Sequence, residues 1–297
     1  MSKIVEKVMY KRLFMYLEQN NTLYQSQYGF RQKHSTTQAV LEFITNTVEA
    51  LENKESTLGV FLDLSKAFDT IDHDIMLNKL EFYGIRGPVL QWLTSYLNNR
   101  HQYVQYMNSK SDLLKVNCGV PQGSVLGPLL FLIYVNDLPD CLTSAKGILF
   151  ADDTSLYTSS KNIPELFNFM NSELSMLYDW FQANKLSLNV KKCNYMLFTN
   201  TKVQTNLYVI KIGNEQIEMK SCVKFLGIYI DNKLTWHNHI KICTSKIACS
   251  LYAINRLKHI LSKAYMRSLY FAIVYPYISY GITLWGSAYN VHKKNSS

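Results

Sequence analysis

The fold is decided by residues 147–158, which read Gly-Ile-Leu-Phe-Ala-Asp-Asp-Thr-Ser-Leu-Tyr-Thr. Two stretches with the composition of β-strands flank a pair of acidic side chains, and this pattern predicts a hairpin with Asp152 and Asp153 at its tip. On its own, an Asp-Asp pair is most often a solvated turn. The pair therefore indicates a functional site only if the fold brings a further carboxylate beside it.

A third carboxylate lies in residues 61–69, which read Phe-Leu-Asp-Leu-Ser-Lys-Ala-Phe-Asp. The apolar run over residues 58–64 predicts a buried strand, and Asp63 lies near its end. Oxygen ligands from three carboxylates suit a pair of Mg²⁺ ions, which stabilises the attacking and leaving oxygens of phosphoryl transfer. The alternative is three unrelated surface carboxylates, and the strand and turn contexts of all three favour the metal site.

The other segments give an order of helices and strands that is α+β in character. Because 47% of the 297 residues are hydrophobic and only 6 are proline, a largely disordered chain is excluded. Helices are predicted over residues 2–18, 37–53, 72–83, 88–98, 164–184 and, after a rigid turn at 119–128, up to 135. Further strands are predicted over residues 101–108, 113–118, 195–199, 207–212 and 222–230. The predicted N-caps are Ser35 or Thr36 for the second helix and Asp72 for the third.

Basic residues are concentrated towards the C-terminus. The chain has 31 Lys and Arg against 22 Asp and Glu, a net charge of +9. No acidic residue follows Asp231, whereas the nine basic residues after it are Lys233, Lys241, Lys246, Arg256, Lys258, Lys263, Arg267, Lys293 and Lys294. An all-basic segment suits contact with a phosphate backbone. A solvated basic surface is the simpler alternative.

The spacing of the six cysteines matches no recognisable disulfide or metal-binding pattern. No Cys-x-x-Cys pair is present, so reduced structural thiols are expected. His237 and His239 lie near Cys243 and Cys249, which leaves a zinc site as a weak alternative. Positions 237 and 239 would face different directions on a helix, which argues against it.

One uncharged stretch, residues 268–291, is long enough to span a bilayer. It contains Pro276, Gly281, Gly286 and several tyrosines, so a buried or interface helix broken at Pro276 is favoured. The N-terminal residues lack the apolar run of a secretory signal. No membrane association is expected.

Several ordered motifs, taken together, resemble one known family. These motifs are residues 61–70, 119–128 with its Pro-Gln-Gly, 150–154, Trp180 with 184–189 and Lys192, 224–231, 275–277, 280–281 and 285–286. Over essentially its whole length the chain resembles the reverse transcriptase domain of non-LTR retrotransposons, most closely the jockey-like elements of animals. The resemblance implies a right-hand polymerase with partial fingers (1–57), a palm of antiparallel sheet and helices with inserted fingers elements (58–231), and a basic helical thumb (232–297).

The resemblance also implies an activity with its cofactors and partners. It implies RNA-directed DNA synthesis from dNTPs, with an RNA template, a DNA primer and two Mg²⁺ ions. Asp63 and Asp152 would bind both ions, and Asp153 would complete the site. The sequence itself gives no localisation, and nucleus and cytoplasm are expected only from the life cycle of such elements; protein partners are unknown.

Nucleotide-binding roles are implied for residues of three motifs. Phe68 corresponds to a steric gate against the ribose 2′-hydroxyl, although a core phenylalanine is the alternative. Gln122 and Gly123 would lie against the incoming nucleotide, where an amide donor and a close backbone approach are useful. An ordinary turn is the alternative for that pair. Ala151, in the acidic turn, is also expected to contact substrate.

The resemblance also implies that several basic residues contact phosphate groups of the substrate or the nucleic acid. Arg31 would contact template or triphosphate oxygens, because guanidinium suits phosphate, with a surface loop cation as the alternative. Lys192 would protonate the departing pyrophosphate, with a solvated lysine as the alternative. Primer–template contacts are expected at Lys224, Lys241, Lys246 and Arg256.

Three other functions stay open at this point. The chain begins just after the place where the family carries an Arg-Pro-Ile/Val fingers strand, and endonuclease and C-terminal regions are missing. A truncated copy is therefore expected, and it could be a catalytically silent remnant that binds nucleic acid. Another polymerase class, such as an intron maturase or RNA-dependent RNA polymerase, fits Phe68 and the Ala-Asp-Asp turn less well. A hydrolytic nuclease would not need the Pro-Gln-Gly loop.

Overall fold

The computed structural model describes residues 2–98, 100–203 and 207–288. Its α-helices are α1 (Ser2–Gln19), α2 (Thr36–Glu52), α3 (His73–Phe82), α4 (Gly87–Leu97), α5 (Gly127–Tyr134), α6 (Ile163–Ala183), α7 (His237–Leu257), α8 (Lys263–Ile273), α9 (Tyr275–Ser279) and α10 (Ile282–Trp285). Its strands are β1 (Ser56–Leu62), β2 (Arg100–Gln102), β3 (Gln105–Tyr106), β4 (Ser109–Lys110), β5 (Leu114–Val116), β6 (Lys146–Phe150), β7 (Asp153–Ser160), β8 (Asn194–Phe198), β9 (Lys211–Ile212), β10 (Glu215–Gln216), β11 (Glu218–Met219), β12 (Cys222–Phe225) and β13 (Ile228–Asp231). The α+β class is confirmed.

The core is organised around a five-stranded sheet with the order β11-β8-β1-β7-β6. Strand β1 pairs antiparallel with β7 on one side and with β8 on the other, while β11 runs parallel to β8. All seven residues of β1 are buried, because both faces of this strand are covered. The apolar run that predicted a buried strand therefore reflects an inner position in the sheet.

Helices cover both faces of this sheet. Side chains alternate along a strand, so Leu58 and Leu62 join one apolar cluster, which includes the buried face of α6. Phe61 joins a second cluster with Phe43 of α2. The absence of a side chain at Gly59 lets this helix approach, because a Cβ there would lie 2.9 Å from the Phe43 ring.

Two predicted N-caps are confirmed. Ser35 Oγ accepts a hydrogen bond from the Gln38 amide at 3.3 Å, at the start of α2. Asp72 Oδ1 accepts hydrogen bonds from the amides of Asp74 and Ile75, both at 3.0 Å, at the start of α3. These side chains accept hydrogen bonds from amides in the first turn, which have no carbonyl partner within the helix. Local sequence therefore fixes where both helices begin.

The predicted strand over residues 207–212 is mostly wrong. Only Lys211–Ile212 forms a strand in this segment. The side chain of Asn171, on α6, donates to the Val209 carbonyl at 2.9 Å and accepts from the Lys211 amide at 3.0 Å. A helix side chain thus makes the backbone hydrogen bonds that a neighbouring strand would otherwise make with this segment.

Two other strand predictions are right in place but not in extent. Strand β1 ends at Leu62, and Leu64 forms an isolated bridge with Leu188 instead. The predicted pair 101–108 and 113–118 is present as the shorter β2–β5 pair, which encloses the small β3–β4 hairpin. Since most of these residues are exposed, no packing surface favours longer strands.

The C-terminal part is helical, as predicted. Pro276 lies in the first turn of α9, so the uncharged stretch is broken there. Tyr280 Oη donates to the Leu226 carbonyl at 2.5 Å, which ties this part to the β12–β13 turn. Within the described ranges no helix is both long and apolar enough to cross a membrane. Lys293 and Lys294 lie outside the described residues.

Glu173 on α6 stabilises the fold through a buried carboxylate. It accepts hydrogen bonds from the amide and hydroxyl groups of Thr143 and Ser144, at 2.5–3.3 Å, and is only 1% exposed. Burial alone would raise the pKa of Glu173, but these hydrogen bonds together lower it below the ordinary 4.5. The ionised carboxylate is therefore the form that the fold stabilises.

Replacing Glu173 by Gln is expected to lower the free energy of unfolding by about 2 kcal/mol at pH 7, because an amide cannot accept all these hydrogen bonds. The depressed pKa contributes stability above pH 4.5 that is lost as the pH falls through the folded-state value. The difference between Glu173→Gln and wild type should therefore narrow below pH 4.5 in urea unfolding curves. The control is Glu165→Gln on the exposed face of the same helix, expected within about 0.5 kcal/mol of wild type.

Candidate active site

The predicted hairpin with acidic residues at its tip is present. Phe150 at the end of β6 pairs with Asp153 at the start of β7, so Ala151 and Asp152 form the turn. Ala151 has a φ of +56°, a left-handed conformation that is uncommon for a residue with a side chain. The acidic pair is therefore presented by a tight turn between two strands of the main sheet.

Asp63 lies beside this turn because of strand register. Leu62, the last residue of β1, pairs with Thr154 of β7, and Asp63 follows it directly. The main chain of Asp63 is held by the segment after α6: its carbonyl accepts from the Asn189 amide at 2.8 Å, and its amide donates to Cys193 Sγ at 3.4 Å. The sheet thus brings together carboxylates that are far apart in the chain.

The electrostatics of the three carboxylates favour a bound cation. Desolvation, together with the charges of Asp152 and then Asp63, raises the pKa of Asp153 to about 6. Asp153 also has exposed surface, so the repulsion from its two neighbours is the contribution that a positive charge would relieve. Lys192 already supplies one such charge, since its Nζ lies 3.6 Å from Asp63 Oδ2.

The donor set fits a hard divalent cation, since carboxylate oxygens are its preferred ligands. Within the described ranges, however, no three His, Cys, Asp or Glu side chains lie close enough together to hold a metal ion. The carboxylates are neighbours on the sheet without forming a closed cage. This arrangement suits a site whose remaining ligands come from a substrate such as a triphosphate.

The Pro-Gln-Gly turn lies beside the acidic motifs. Gln122 Nε2 donates to Asp69 Oδ1 at 2.8 Å, which joins this turn to the segment that follows Asp63. Gly123 has a φ of +75°, and a Cβ there would meet nothing within 4 Å. Its glycine is therefore required by backbone conformation and not by crowding. A polar cleft of about 640 Å³ opens here, lined by Asp69, Gln122, Arg100 and Lys115 among others.

Phe68 lies between two other aromatic rings. It stacks on Phe131 of α5 with centroids 4.6 Å apart, and Phe30 approaches it edge-on at 6.2 Å. It is half-buried against the main core. The packing accounts for the ring's fixed position, and the remaining exposed surface leaves room for a gating role, which stays a prediction.

Arg31 is engaged in contacts with its own neighbours. Its Nε lies 3.0 Å from Glu18 Oε1, one of its terminal nitrogens donates to the Tyr24 carbonyl at 2.8 Å, and its side chain is 10% exposed. These contacts connect the 24–31 loop to α1. The structure therefore gives Arg31 a structural task, and phosphate contact stays an untested prediction.

The residues predicted to contact primer–template are exposed. Lys224 lies on β12, and Lys241, Lys246 and Arg256 lie along α7. Lys246 Nζ is 5.2 Å from the centre of the Tyr277 ring, which positions it beside α9. All four are exposed basic side chains, and their contact with nucleic acid stays a prediction.

His239 and Cys243 lie in an apolar cleft of about 220 Å³ between α7 and α9. Cys243 Sγ and His239 Nε2 are 3.5 Å apart. Burial, and then the charge of Lys246, lowers the pKa of His239 below its usual range, which favours the neutral ring. No third donor joins the pair among the described residues, so the zinc alternative gains no support.

Two residues at the acidic turn were missed by sequence reasoning. Gln27 and Gly29 lie between the first two predicted helices, where no helix or strand was predicted, yet both contact Ala151. Ala151 itself is buried against this segment, and its contact with substrate stays a prediction. No local pattern marks Gln27 or Gly29, because the contacts join segments separated by 124 residues.

Acidic motifs on neighbouring antiparallel strands, with a glycine-bearing Pro-Gln-Gly turn beside them, are typical of the class of template-dependent polymerases. Residues 1–230 match the family model described as reverse transcriptase (RNA-dependent DNA polymerase). The chain belongs to this family, whose members generally use divalent metal ions.

Known proteins similar to the chain include transposon-encoded polymerases. It is 31% identical to the probable RNA-directed DNA polymerase from transposon BS of Drosophila melanogaster, over 97% of this chain and 33% of that protein. It is 29% identical to the RNA-directed DNA polymerase from mobile element jockey of the same species, over 98% of this chain and 33% of that protein. The chain therefore spans about a third of the length of these relatives, and the resemblance to jockey-like elements is confirmed.

A solved structure supports the fold. The apo telomerase from Candida tropicalis, truncated from its C-terminal domain, matches with a TM-score of 0.53 at 12% identity. The match covers 76% of this chain and 43% of that one. At this identity the match shows a shared fold and nothing about activity.

Proposed function

We propose that this chain is the RNA-directed DNA polymerase domain of a non-LTR retroelement, which adds dNTPs to a DNA primer on an RNA template. The observation that carries the proposal is the register that places Asp63 beside the Asp152–Asp153 turn. The family match supports the reaction class. The division into partial fingers (1–57), palm (58–231) and thumb (232–297) belongs to the same proposal.

Asp63 and Asp152 would hold two Mg²⁺ ions, and Asp153 would complete the ligand set. When bound, the ions lower the pKa of the primer 3′-hydroxyl and neutralise charge on the triphosphate. Desolvation, and then the charges of Asp152 and Asp63, raise the pKa of Asp153, and a bound cation would relieve the repulsion between these carboxylates. Two ions and their identity as Mg²⁺ are part of the proposal.

Two further side chains would act on the nucleotide. Lys192 is 68% exposed and its Nζ lies near Asp63, so its proton can reach a departing pyrophosphate. Gln122 would exchange its hydrogen bond with Asp69 for one with the incoming nucleotide.

The exposed basic side chains of β12 and α7 would bind the primer–template backbone. Lys224, Lys241, Lys246 and Arg256 are exposed, and the described segment after Asp231 contains no acidic residue. Such a surface releases counterions from nucleic acid, so its affinity should fall as salt is raised.

The function is tested by extension of a labelled DNA primer on an RNA template by the purified chain, with Mg²⁺ and with a chelator. Template-dependent extension that requires both dNTPs and Mg²⁺ is expected. Salt-sensitive binding to the primer–template without any extension would instead identify a silent nucleic-acid-binding remnant. Nucleotide-independent cleavage of the template would favour a nuclease.

Replacing Phe68 by Val is expected to weaken discrimination against ribonucleotides by about 10- to 100-fold, because the ring that would meet the 2′-hydroxyl is removed. The ratio of kcat/KM for dNTP to that for rNTP measures the effect. Phe169→Val, a matched change at an exposed position of α6, should leave the ratio unchanged. An unchanged ratio in Phe68→Val would mean that Phe68 serves only to pack against Phe131.

A further inference from the structure

A short segment of the 24–31 loop runs alongside the end of β6, behind the acidic turn. The Leu149 amide donates to the Ser26 carbonyl at 2.9 Å, and the Tyr28 amide donates to the Leu149 carbonyl at 2.8 Å. Gln27 and Leu149 thus form a parallel bridge. The segment is anchored on its other side by Glu42 of α2, which accepts from the hydroxyls of Ser26 and Tyr28. The turn that carries Asp152 therefore has a fixed neighbour.

The Gln27 side chain reaches from this segment into the turn. It is 2% exposed, and its Oε1 accepts from the Gly29 amide at 2.8 Å and from the Ala151 amide at 3.2 Å. Ala151 is the residue with a φ of +56°, a conformation that is uncommon for a residue with a side chain and that the common two-residue hairpin turns require at this position. One amide oxygen therefore holds both the loop and the turn in place.

The other end of the Gln27 amide is unusual. Its Nε2 is buried and has no hydrogen-bond partner within the described part of the chain. Burying an amide donor without a partner costs free energy, so a purely structural position would favour an apolar side chain or a fully bonded one. Strain and unpaired polar groups that persist together are typical of functional sites.

We propose that Gln27 is a positioning residue for the reaction: its amide oxygen fixes the conformation of Ala151 and so directs the carboxylates of Asp152 and Asp153 towards Asp63. The hydrogen bond between Gln27 and Ala151 is present whatever the chain does, whereas its effect on catalysis rests on the proposed function. Gln27 does not touch substrate in this assignment. It acts through the turn.

Three variants separate this role from simple stability. Gln27→Met has a similar length but no acceptor, whereas Gln27→Glu keeps an acceptor for both amides. Gln182→Met makes the same change at an exposed position of α6 and is the control. If Gln27→Met does not fold, Gln27→Asn replaces it, because its shorter side chain withdraws the amide oxygen from Ala151.

Amide hydrogen exchange at Ala151 is the first readout, and it needs no activity. Faster exchange is expected in Gln27→Met than in wild type, with protection retained in Gln27→Glu and Gln182→Met. The second readout is primer extension, in which Gln27→Met should lose about 10- to 100-fold in kcat with an unchanged Kd for primer–template. Gln27→Glu should recover most of this loss.

Each result decides the proposal. Unchanged exchange at Ala151, or faster exchange with unchanged kcat, would overturn it. A loss of kcat that Gln27→Glu does not recover and that follows the melting temperature would show a merely structural role. If wild type extends no primer, the proposed function fails for this chain, while amide exchange still decides whether Gln27 holds the turn.

Discussion

Asp152→Asn is expected to reduce primer extension by at least about 10³-fold, which corresponds to about 4 kcal/mol of activation free energy. The substitution keeps the size of the side chain and removes its charge. Asp152 lies at the tip of the β6–β7 hairpin and is only partly buried, so the variant should fold. Single-turnover extension under saturating primer–template measures the loss without a contribution from binding.

The matched control for this prediction is Asp179→Asn, since Asp179 is an exposed carboxylate on α6. It should extend primers at the wild-type rate. The affinity of Asp152→Asn for primer–template, measured by fluorescence anisotropy, should stay close to wild type because the exposed basic residues of β12 and α7 are unaltered. If the variant retained more than about a tenth of the rate, Asp152 would not be a metal ligand in this protein.

The parts of the site that could be predicted are those whose sequence pattern lies within one short segment of the chain. The two acidic residues of the turn lie within one short hairpin, whose strand composition is visible in the sequence. Asp63 lies near the end of an apolar run that was predicted to be a buried strand. Strand register then brings them together with no further information. These features depend on side-chain alternation and on turn chemistry, which a single sequence displays directly.

Other contacts could not be predicted, because they pair a single polar side-chain atom with a group that is distant in the chain. The hydrogen bond of Gln27 to Ala151 spans 124 residues, and that of Gln122 to Asp69 spans 53. Arg31 shows the reverse problem, since its residue type suits phosphate while its neighbours Glu18 and Tyr24 use its donors. A residue type indicates what a side chain can bind, and only the fold decides which partner reaches it.

The fold errors have the same origin. The segment over 207–212 has strand composition, but Asn171 on α6 satisfies its backbone instead. The apolar run at 58–64 was predicted correctly as buried, although its last part leaves the sheet to pair with Leu188. Composition predicts whether a segment is buried or extended more reliably than it predicts which group bonds to it.

Gly29→Ala is expected to lower kcat by about 10²-fold, because a displacement of the catalytic turn by about 1 Å has an effect of that size. A Cβ at position 29 would lie 2.2 Å from the Ala151 nitrogen and 2.9 Å from the Phe150 carbonyl carbon. Both are backbone atoms of the β6–β7 hairpin, so no side chain can rotate away to make room. Either the loop or the turn that carries Asp152 must move.

Gly147→Ala is the matched control, because it adds the same methyl group on β6 of the same hairpin. Its Cβ would meet only the ends of the Leu142 and Leu156 side chains, at 3.4 and 3.7 Å, which is ordinary contact. This variant should keep kcat within about twofold of wild type and melt at a similar temperature, since such contacts require no backbone movement. Gly29→Ala should keep its affinity for primer–template while losing kcat. Equal rates for both glycine variants would mean that the close approach of the loop to the turn is not needed for catalysis.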